Sequence, residues 1–276
     1  MNFQDIKLVA LDIDGTLLTS QSELAPSTAA TIAEVQQKGI AVTLASGRTF
    51  GSASIFARGL NIGLPIIAYN GAYIGRAADR RPLRQSPMDR KLAGPLIRQL
   101  EQANLYIKVY IDDKLYVQRA TEETRRFSRL HRVQYLEVGQ GNLAQLDRDP
   151  LKITVIDDPQ AIDEIYRLLE PWQPYFNICR DSDGGLEIVK AGISKGSALR
   201  EVCRLLQLDL SQVLAFGNEG NDLEMIREAG IGVAMGNAYS ELKEQATMVA
   251  GTNDELGVEQ VLRTYLLCKL NDRTGR

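Results

Sequence analysis

The chain has 276 residues, with 35 acidic against 32 basic side chains, a formal charge of −3, 44% hydrophobic and 24% charged residues. That length suits one large domain or two smaller ones and is long enough to bury a sizeable core. The slightly acidic balance argues against a general nucleic-acid binder, no apolar run approaches the ~20 residues of a membrane helix, and residues 1–5 lack the basic, apolar character of a secretory signal. Cys179, Cys203 and Cys268 are odd in number and far apart, which fits reduced thiols in a cytoplasmic protein. The single histidine, His131, excludes a multi-histidine metal site.

Residues 7–11 read as a buried strand, which runs into Asp12-Ile13-Asp14-Gly15-Thr16-Leu17-Leu18. Residues 26–38 predict a helix, with Pro26 in its first turn, Ile32 and Val35 three apart, and Gly39 as its stop. Residues 40–45 are β-rich, 49–57 helical, and 66–68 a third strand after Pro65. This βαβαβ rhythm predicts a parallel sheet with helices on its faces. Arg76, Arg80, Arg81, Pro82 and Arg84 make a polar passage that suits a boundary. A helix over 89–103 precedes strands at 106–111 and 115–118, joined through Asp112-Asp113-Lys114, a hairpin signal. Residues 121–130 predict a helix, and Arg125, Arg126, Arg129 and Arg132 read as its solvated face. Strands follow at 133–138, 151–156, 175–180 and 186–189, with a helix at 160–169.

After Gly192 the alternation returns, with helix 195–206 carrying Leu199, Val202, Leu205 and Leu206 on one face. Strand 213–216, helix 222–229, strand 231–234, helix 240–246, strand 248–250 and helix 255–267 follow, with a frayed tail over 271–276. The expected architecture is therefore α/β. Residues 1–83 and 190–276 would form a core with a doubly wound parallel sheet, and residues 84–189 an inserted α+β domain.

Four loops follow strands or open helices, where open α/β sheets place ligands. Asp12-Ile13-Asp14 carries two carboxylates two residues apart, with Gly15 for a sharp turn. Ser46-Gly47-Arg48 sets a hydroxyl at a strand end and a glycine N–H that an anion can approach; Ser46 also suits a helix N-cap. Lys195 opens a helix, the wrong end for a cation unless an anion lies there too. Gly217-Asn218-Glu219-Gly220-Asn221-Asp222 holds more polar side chains than a cap requires.

Together these loops resemble, in order, the four motifs of the haloacid dehalogenase superfamily. The Cof-like branch, which inserts a large α/β cap between the second and third motifs, is the best match. Ala68-Tyr69-Asn70-Gly71-Ala72, Leu186-Glu187-Ile188 and Val233-Ala234-Met235-Gly236-Asn237-Ala238 are similar to that branch as well. The resemblance spans essentially the whole chain. It implies a phosphatase with Asp12 as nucleophile, Asp14 as general acid and then base, and Lys195 neutralising charge on Asp12 and the phosphoryl group. Ile13, Ser46, Gly47, Lys195 and Asn221 would bind phosphate. Magnesium would be held by Asp12, the Asp14 carbonyl and Asn218, with Asp222 orienting Lys195 or metal-bound water. Asn70, whose loop follows the third strand, would lie on the substrate side or only turn the chain before Gly71, and Arg48, also on the substrate side, would act through an anion or through packing. A carboxylate attacking a phosphate dianion needs positive charge more than a strong base, which suits this set.

The family usually has aspartate where this chain has Asn218, so weaker magnesium binding is expected, with Asp222 or Glu219 recruited directly or through water. The expected substrate is a small phosphorylated metabolite, with no nucleic acid or membrane partner, and the chain a monomer or homodimer. A phosphomutase using the same aspartate, or a weakly catalytic phospho-ligand binder, are the alternatives.

Overall fold

The computed structural model describes residues 2–79, 81–158, 160–180 and 184–268. Arg80 and the expected tail at 271–276 lie outside the described residues. In chain order, the first elements are β1 (Leu8–Leu11), α1 (Pro26–Gln37), β2 (Ala41–Leu44), α2 (Phe50–Gly59) and β3 (Pro65–Ala68). A short antiparallel pair, β4 (Tyr73–Arg76) and β5 (Arg84–Gln85), follows. Next come α3 (Arg90–Gln102), β6 (Tyr106–Ile111), β7 (Lys114–Val117), α4 (Glu122–His131) and β8 (Gln134–Glu137). After them lie β9 (Lys152–Ile156), α5 (Ile162–Leu169), β10 (Phe176–Arg180) and β11 (Gly185–Lys190). The chain continues with α6 (Lys195–Leu206), β12 (Val213–Gly217), α7 (Leu223–Glu228) and β13 (Ile231–Ala234). It ends in α8 (Ser240–Gln245), β14 (Met248–Val249) and α9 (Gly257–Leu262).

The main sheet is five-stranded and parallel, in the order β14-β13-β12-β1-β2. Its central strands are apolar throughout because both faces are covered. Alternate residues of β1 serve opposite cores: Val9 and Leu11 pack with Ile32, Val35, Val258 and Val261 of α1 and α9. Leu8 and Ala10 pack with Leu199, Val202 and Ile226 of α6 and α7. This is the doubly wound α/β arrangement expected from the βαβ rhythm.

The third expected strand behaves differently. β3 runs alongside β2 through a parallel bridge between Ala45 and Ile67, with Thr43 Oγ1 donating to the Pro65 carbonyl at 2.7 Å. It then turns back into an antiparallel sheet, β3-β4-β5. The reversal uses three successive positive φ angles, at Tyr69 (51°), Asn70 (53°) and Gly71 (101°). The polar passage at 76–84 suits a boundary by composition, but its ends belong to strands: Arg76 closes β4, which pairs with β3, and Arg84 opens β5, which pairs with β4.

A second sheet, in the order β10-β11-β9-β6-β7-β8, is antiparallel except for the β7–β8 pair, whose crossover is α4. Period-two alternation gives it two unlike faces. One buries Ile107, Val109, Ile153, Val155, Leu186 and Ile188 against Ala93, Leu96, Leu100, Ile162, Ile165 and Leu169 of α3 and α5. The other carries Lys108, Tyr110, Lys152, Thr154 and Glu187, and these residues line a cavity together with the loops that leave β1, β2 and β12.

Candidate active site

That cavity has a volume of about 650 Å³. Asp12 lies at the end of β1, its N–H donating to the Phe216 carbonyl of β12 at 3.1 Å. The chain then turns sharply: Gly15 has φ of +70°, and a Cβ there would stand 2.5 Å from Asn218 Nδ2. Only glycine meets both demands. The turn is tied to its surroundings by Thr16 Oγ1 donating to Asn218 Oδ1 at 2.9 Å and by Asn237 Nδ2 donating to the Gly15 carbonyl at 2.8 Å.

Lys195 is the first residue of α6, whose N-cap Ser194 forms a reciprocal box with Ser197. The lysine is buried, and its Nζ donates to Asp12 Oδ1 and Asp222 Oδ1, both at 2.7 Å. The second oxygen of Asp222 accepts from the N–H groups of Asn218 at 2.9 Å and Glu219 at 3.0 Å. Both oxygens of Asp222 therefore serve Lys195 and the loop after β12. Burial works against the Lys195 charge, but the two carboxylates outweigh it and raise its pKa. Asp12 is pushed up to about 7, chiefly by burial, with Lys195 opposing and Asp222 reinforcing the rise. Two buried carboxylates share one lysine, so the centre is short of positive charge.

Arg48 grips Asp14 in a fork, Nε to Oδ2 at 2.7 Å and Nη2 to Oδ1 at 2.6 Å. Burial pushes Asp14 up, but the hydrogen bonds and charge of Arg48 prevail and hold its carboxyl below the usual range. The same guanidinium donates to Ser52 Oγ at 3.2 Å and lies 4.9 Å from the centre of the Phe56 ring. Arg48 thus combines an anion contact with packing.

Ser46 does not cap α2. Thr49 is the N-cap, accepting from Ser52 N–H at 3.3 Å, because the helix starts farther along than the strand end. Ser46 Oγ accepts from the Arg48 N–H at 3.1 Å, and the hydroxyl hydrogen remains available to an anion. Its loop is laced to the one after β3, with Ser46 N–H donating to Ile67 O at 2.9 Å and Asn70 N–H to Ser46 O at 3.1 Å. Asn221 Nδ2 donates to Asn70 Oδ1 at 3.1 Å, while Asn221 Oδ1 is buried without a partner.

Several cavity residues carried no assigned role in the sequence reading, Glu187 being named only within the Leu186-Glu187-Ile188 string. Glu187 and Lys152 are buried, form an ion pair and reach the core loops. Burial pushes the Glu187 carboxyl up, and the Lys152 charge with hydrogen bonds from Lys152 and Asn70 holds it below the usual range. Lys108 lies over the Phe127 ring at 4.1 Å, and the Thr154 hydroxyl is buried without a partner. The signal available was a charged residue inside an otherwise apolar strand, as in Lys152-Ile153-Thr154-Val155-Ile156. From α4, Arg126, Phe127, Leu130 and His131 line the cavity. His131 is pushed down to about 4, mainly by burial and then by the Arg48 charge. The basic stretch is divided: Arg125 and Arg129 pair with Glu122 at 3.6 and 3.1 Å, whereas Arg126 faces the cavity.

Among the described residues, no group of three His, Cys, Asp or Glu side chains is arranged to hold a metal. The donors present still fit magnesium, which takes oxygen ligands and completes its shell with water and phosphate. Asp12 uses only Oδ1 on Lys195, and Asn218 Oδ1 carries one of the two hydrogen bonds it can accept.

No helix among the described residues is long and apolar enough to cross a membrane. The haloacid dehalogenase-like hydrolase family model matches residues 9–262. The chain is 30% identical to stress response protein YhaX of Bacillus subtilis, over 98% of this chain and 96% of that protein. It is 27% identical to the 5-amino-6-(5-phospho-D-ribitylamino)uracil phosphatase YitU of the same organism, over 94% and 97%. A solved haloacid dehalogenase-like hydrolase from B. subtilis superposes with a TM-score of 0.85 at 25% identity, covering 95% of this chain and all of the other. With those loops in that order on a doubly wound sheet, the chain belongs to the haloacid dehalogenase-like hydrolases, in the Cof-like branch to which its motifs point.

Proposed function

We propose that the chain is a magnesium-dependent phosphatase that hydrolyses a small phosphorylated metabolite through an aspartyl-phosphate. One observation carries this reading: Asp12 stands in the cavity with its charge held by Lys195, which Asp222 fixes in turn. The relatives named as phosphatases support it.

Asp12 would attack phosphorus, forming an Oδ–P bond as the ester oxygen leaves. Asp14 would protonate that oxygen, then take a proton from the water that releases phosphate. Since Arg48 keeps Asp14 ionised, Asp14 must part from the guanidinium and gain a proton before acting as acid. The freed Arg48 then faces the substrate. Ser46 Oγ, the N–H groups of Ile13 and Gly47, and Lys195 would hold the phosphoryl oxygens, with Asn221 and Asn70 bordering them. Asp12, the Asp14 carbonyl and Asn218 would hold magnesium, which when bound offsets charge on the phosphoryl group; Asp222 would act through Lys195 or bound water. Lys195 and Arg48 supply the remaining positive charge.

Residues 84–189 would act as a cap over the core formed by 1–83 and 190–276, excluding water and contacting the leaving group. The cavity falls within the roughly 300–1,000 Å³ of small-molecule sites, which disfavours a large phosphoprotein. A cytoplasmic monomer or homodimer fits the lack of a disulfide at Cys179, Cys203 and Cys268 among the described residues. The test is a panel of phosphorylated metabolites assayed for inorganic phosphate with magnesium, and again with EDTA. Phosphate release that EDTA abolishes is expected; turnover unaffected by EDTA, or none on any small phosphomonoester, would overturn the proposal.

A further inference from the structure

We propose that Glu187 and Lys152 are positioning residues that assemble the phosphate site from across the cavity, and that Lys152 masks the Glu187 charge so that an anion can bind beside it. This rests on the assignment of Ser46, Gly47 and Asn221 to the phosphoryl group.

The two residues come from neighbouring strands of the second sheet. Glu187 of β11 is in register with Thr154 of β9, two residues from Lys152, so the pair shares the cavity face. Both are buried. Glu187 Oε1 pairs with Lys152, and the Lys152 Nζ also donates to the Gly47 carbonyl at 2.7 Å. Glu187 Oε2 accepts from Asn70 Nδ2 at 2.6 Å and from Asn221 Nδ2 at 3.4 Å. One ion pair therefore touches three loops of the core.

Two further observations show how closely these loops depend on it. A Cβ on Gly47 would stand 2.9 Å from Asn70 Oδ1 and 3.1 Å from Glu187 Oε2, so the loop at 46–48 lies directly against the carboxylate. The Asn221 amide nitrogen donates to both Asn70 Oδ1 and Glu187 Oε2, while its own oxygen is buried and unpartnered. Turning the amide over would set that oxygen against the carboxylate. Glu187 thus fixes which end of Asn221 is presented, and the longer of the two bonds is the one a phosphoryl oxygen would replace.

A bare carboxylate next to an anion site would repel the ligand. Lys152 removes that repulsion, which predicts a specific sign of coupling. The full-length enzyme is compared with Lys152→Met, Glu187→Gln and the double variant, reading inhibition by inorganic phosphate together with kcat and KM for p-nitrophenyl phosphate in magnesium. Lys152→Met is expected to weaken phosphate binding by about tenfold or more. The double variant should recover most of that loss, because no uncompensated charge remains. The phosphate inhibition constant and KM should move together, with kcat changing by no more than about threefold.

No recovery in the double variant, or unchanged phosphate affinity in Lys152→Met, would overturn the inference. Should Lys152→Met fail to fold, Glu187→Gln alone gives the answer: the glutamine keeps an acceptor oxygen for Asn70 and Asn221 while Lys152 loses its counter-charge, so phosphate affinity is expected to hold or rise, and a loss of affinity refutes the masking role. Ser46→Ala separates the two levels. Unchanged phosphate affinity in that variant removes the underlying site assignment; weakened affinity with no recovery in the double variant removes only the role of the pair.

Discussion

Replacing Asp12 with asparagine should abolish turnover and at the same time make the metal-free protein more stable. In the folded chain Asp12 is about 4% exposed and its carboxyl is pushed up from 3.8 to about 7. Between those two values the folded state holds its proton while the unfolded state has lost it. Stability therefore falls as pH rises across that window, and the full cost is present above about pH 7. At about 1.4 kcal/mol per pH unit, the gap corresponds to a ceiling of about 4 kcal/mol. Asparagine has the shape of the protonated acid and no charge to bury. With some of the ceiling lost to readjustment of Lys195, a gain of about 2 kcal/mol is expected at about pH 8. The gain should fall by about half or more on going to about pH 5. Urea denaturation of chelator-treated wild type and Asp12→Asn at both pH values measures this, with an unchanged urea slope confirming that stability alone has changed. Turnover is followed in parallel with magnesium present. An Asp12→Asn protein no more stable than wild type at the higher pH, or a gain that does not shrink in acid, would refute the view that Asp12 is held ionised at a cost. Retained turnover would refute its role as nucleophile.

Asn218→Asp should lower the magnesium concentration needed for half-maximal activity and, by adding a third carboxylate beside Asp12 and Asp222, destabilise the metal-free protein by about 1–3 kcal/mol; a magnesium titration with no shift would show that Asn218 is not a ligand. Gly15→Ala should cost about 1–3 kcal/mol in thermal or urea unfolding, because a Cβ must meet both a φ of +70° and an Asn218 Nδ2 only 2.5 Å away. Wild-type stability there would mean that the turn after Asp12 relaxes freely.

The two kinds of site residue differed in how far they could be read from sequence. Asp12, Asp14 and Gly15 are contiguous, and the loop at 217–222 places Asn218, Asn221 and Asp222 within one turn, so composition and order were enough to mark them. Lys195 was marked by an awkward position, a cation at a helix start, and the structure supplies its partners. Glu187 and Lys152 stood in plain view as charges within apolar strands. Their meaning depended on the pairing of β9 with β11 and on which face of that sheet met the core. The strands at 73–76 and 84–85 were hidden by their shortness and by the polar passage between them, and pairing of the first with β3 and of the second with the first decided them.

By itself the sequence determined the alternation of strands and helices, the interruption of an α/β pattern by an α+β unit, and the four loops that carry polar chemistry. Those features rest on hydrophobic periodicity and turn chemistry, which act over a few neighbouring residues. Tertiary structure alone decided that Lys195 bonds Asp12 across 183 positions of chain, that Arg48 clamps Asp14, and that Glu187 and Lys152 touch the core loops. The physical reason is that charge pairing and burial depend on distance in space. Parallel strand order and sheet register set those distances, and neither is written in any local stretch of the chain.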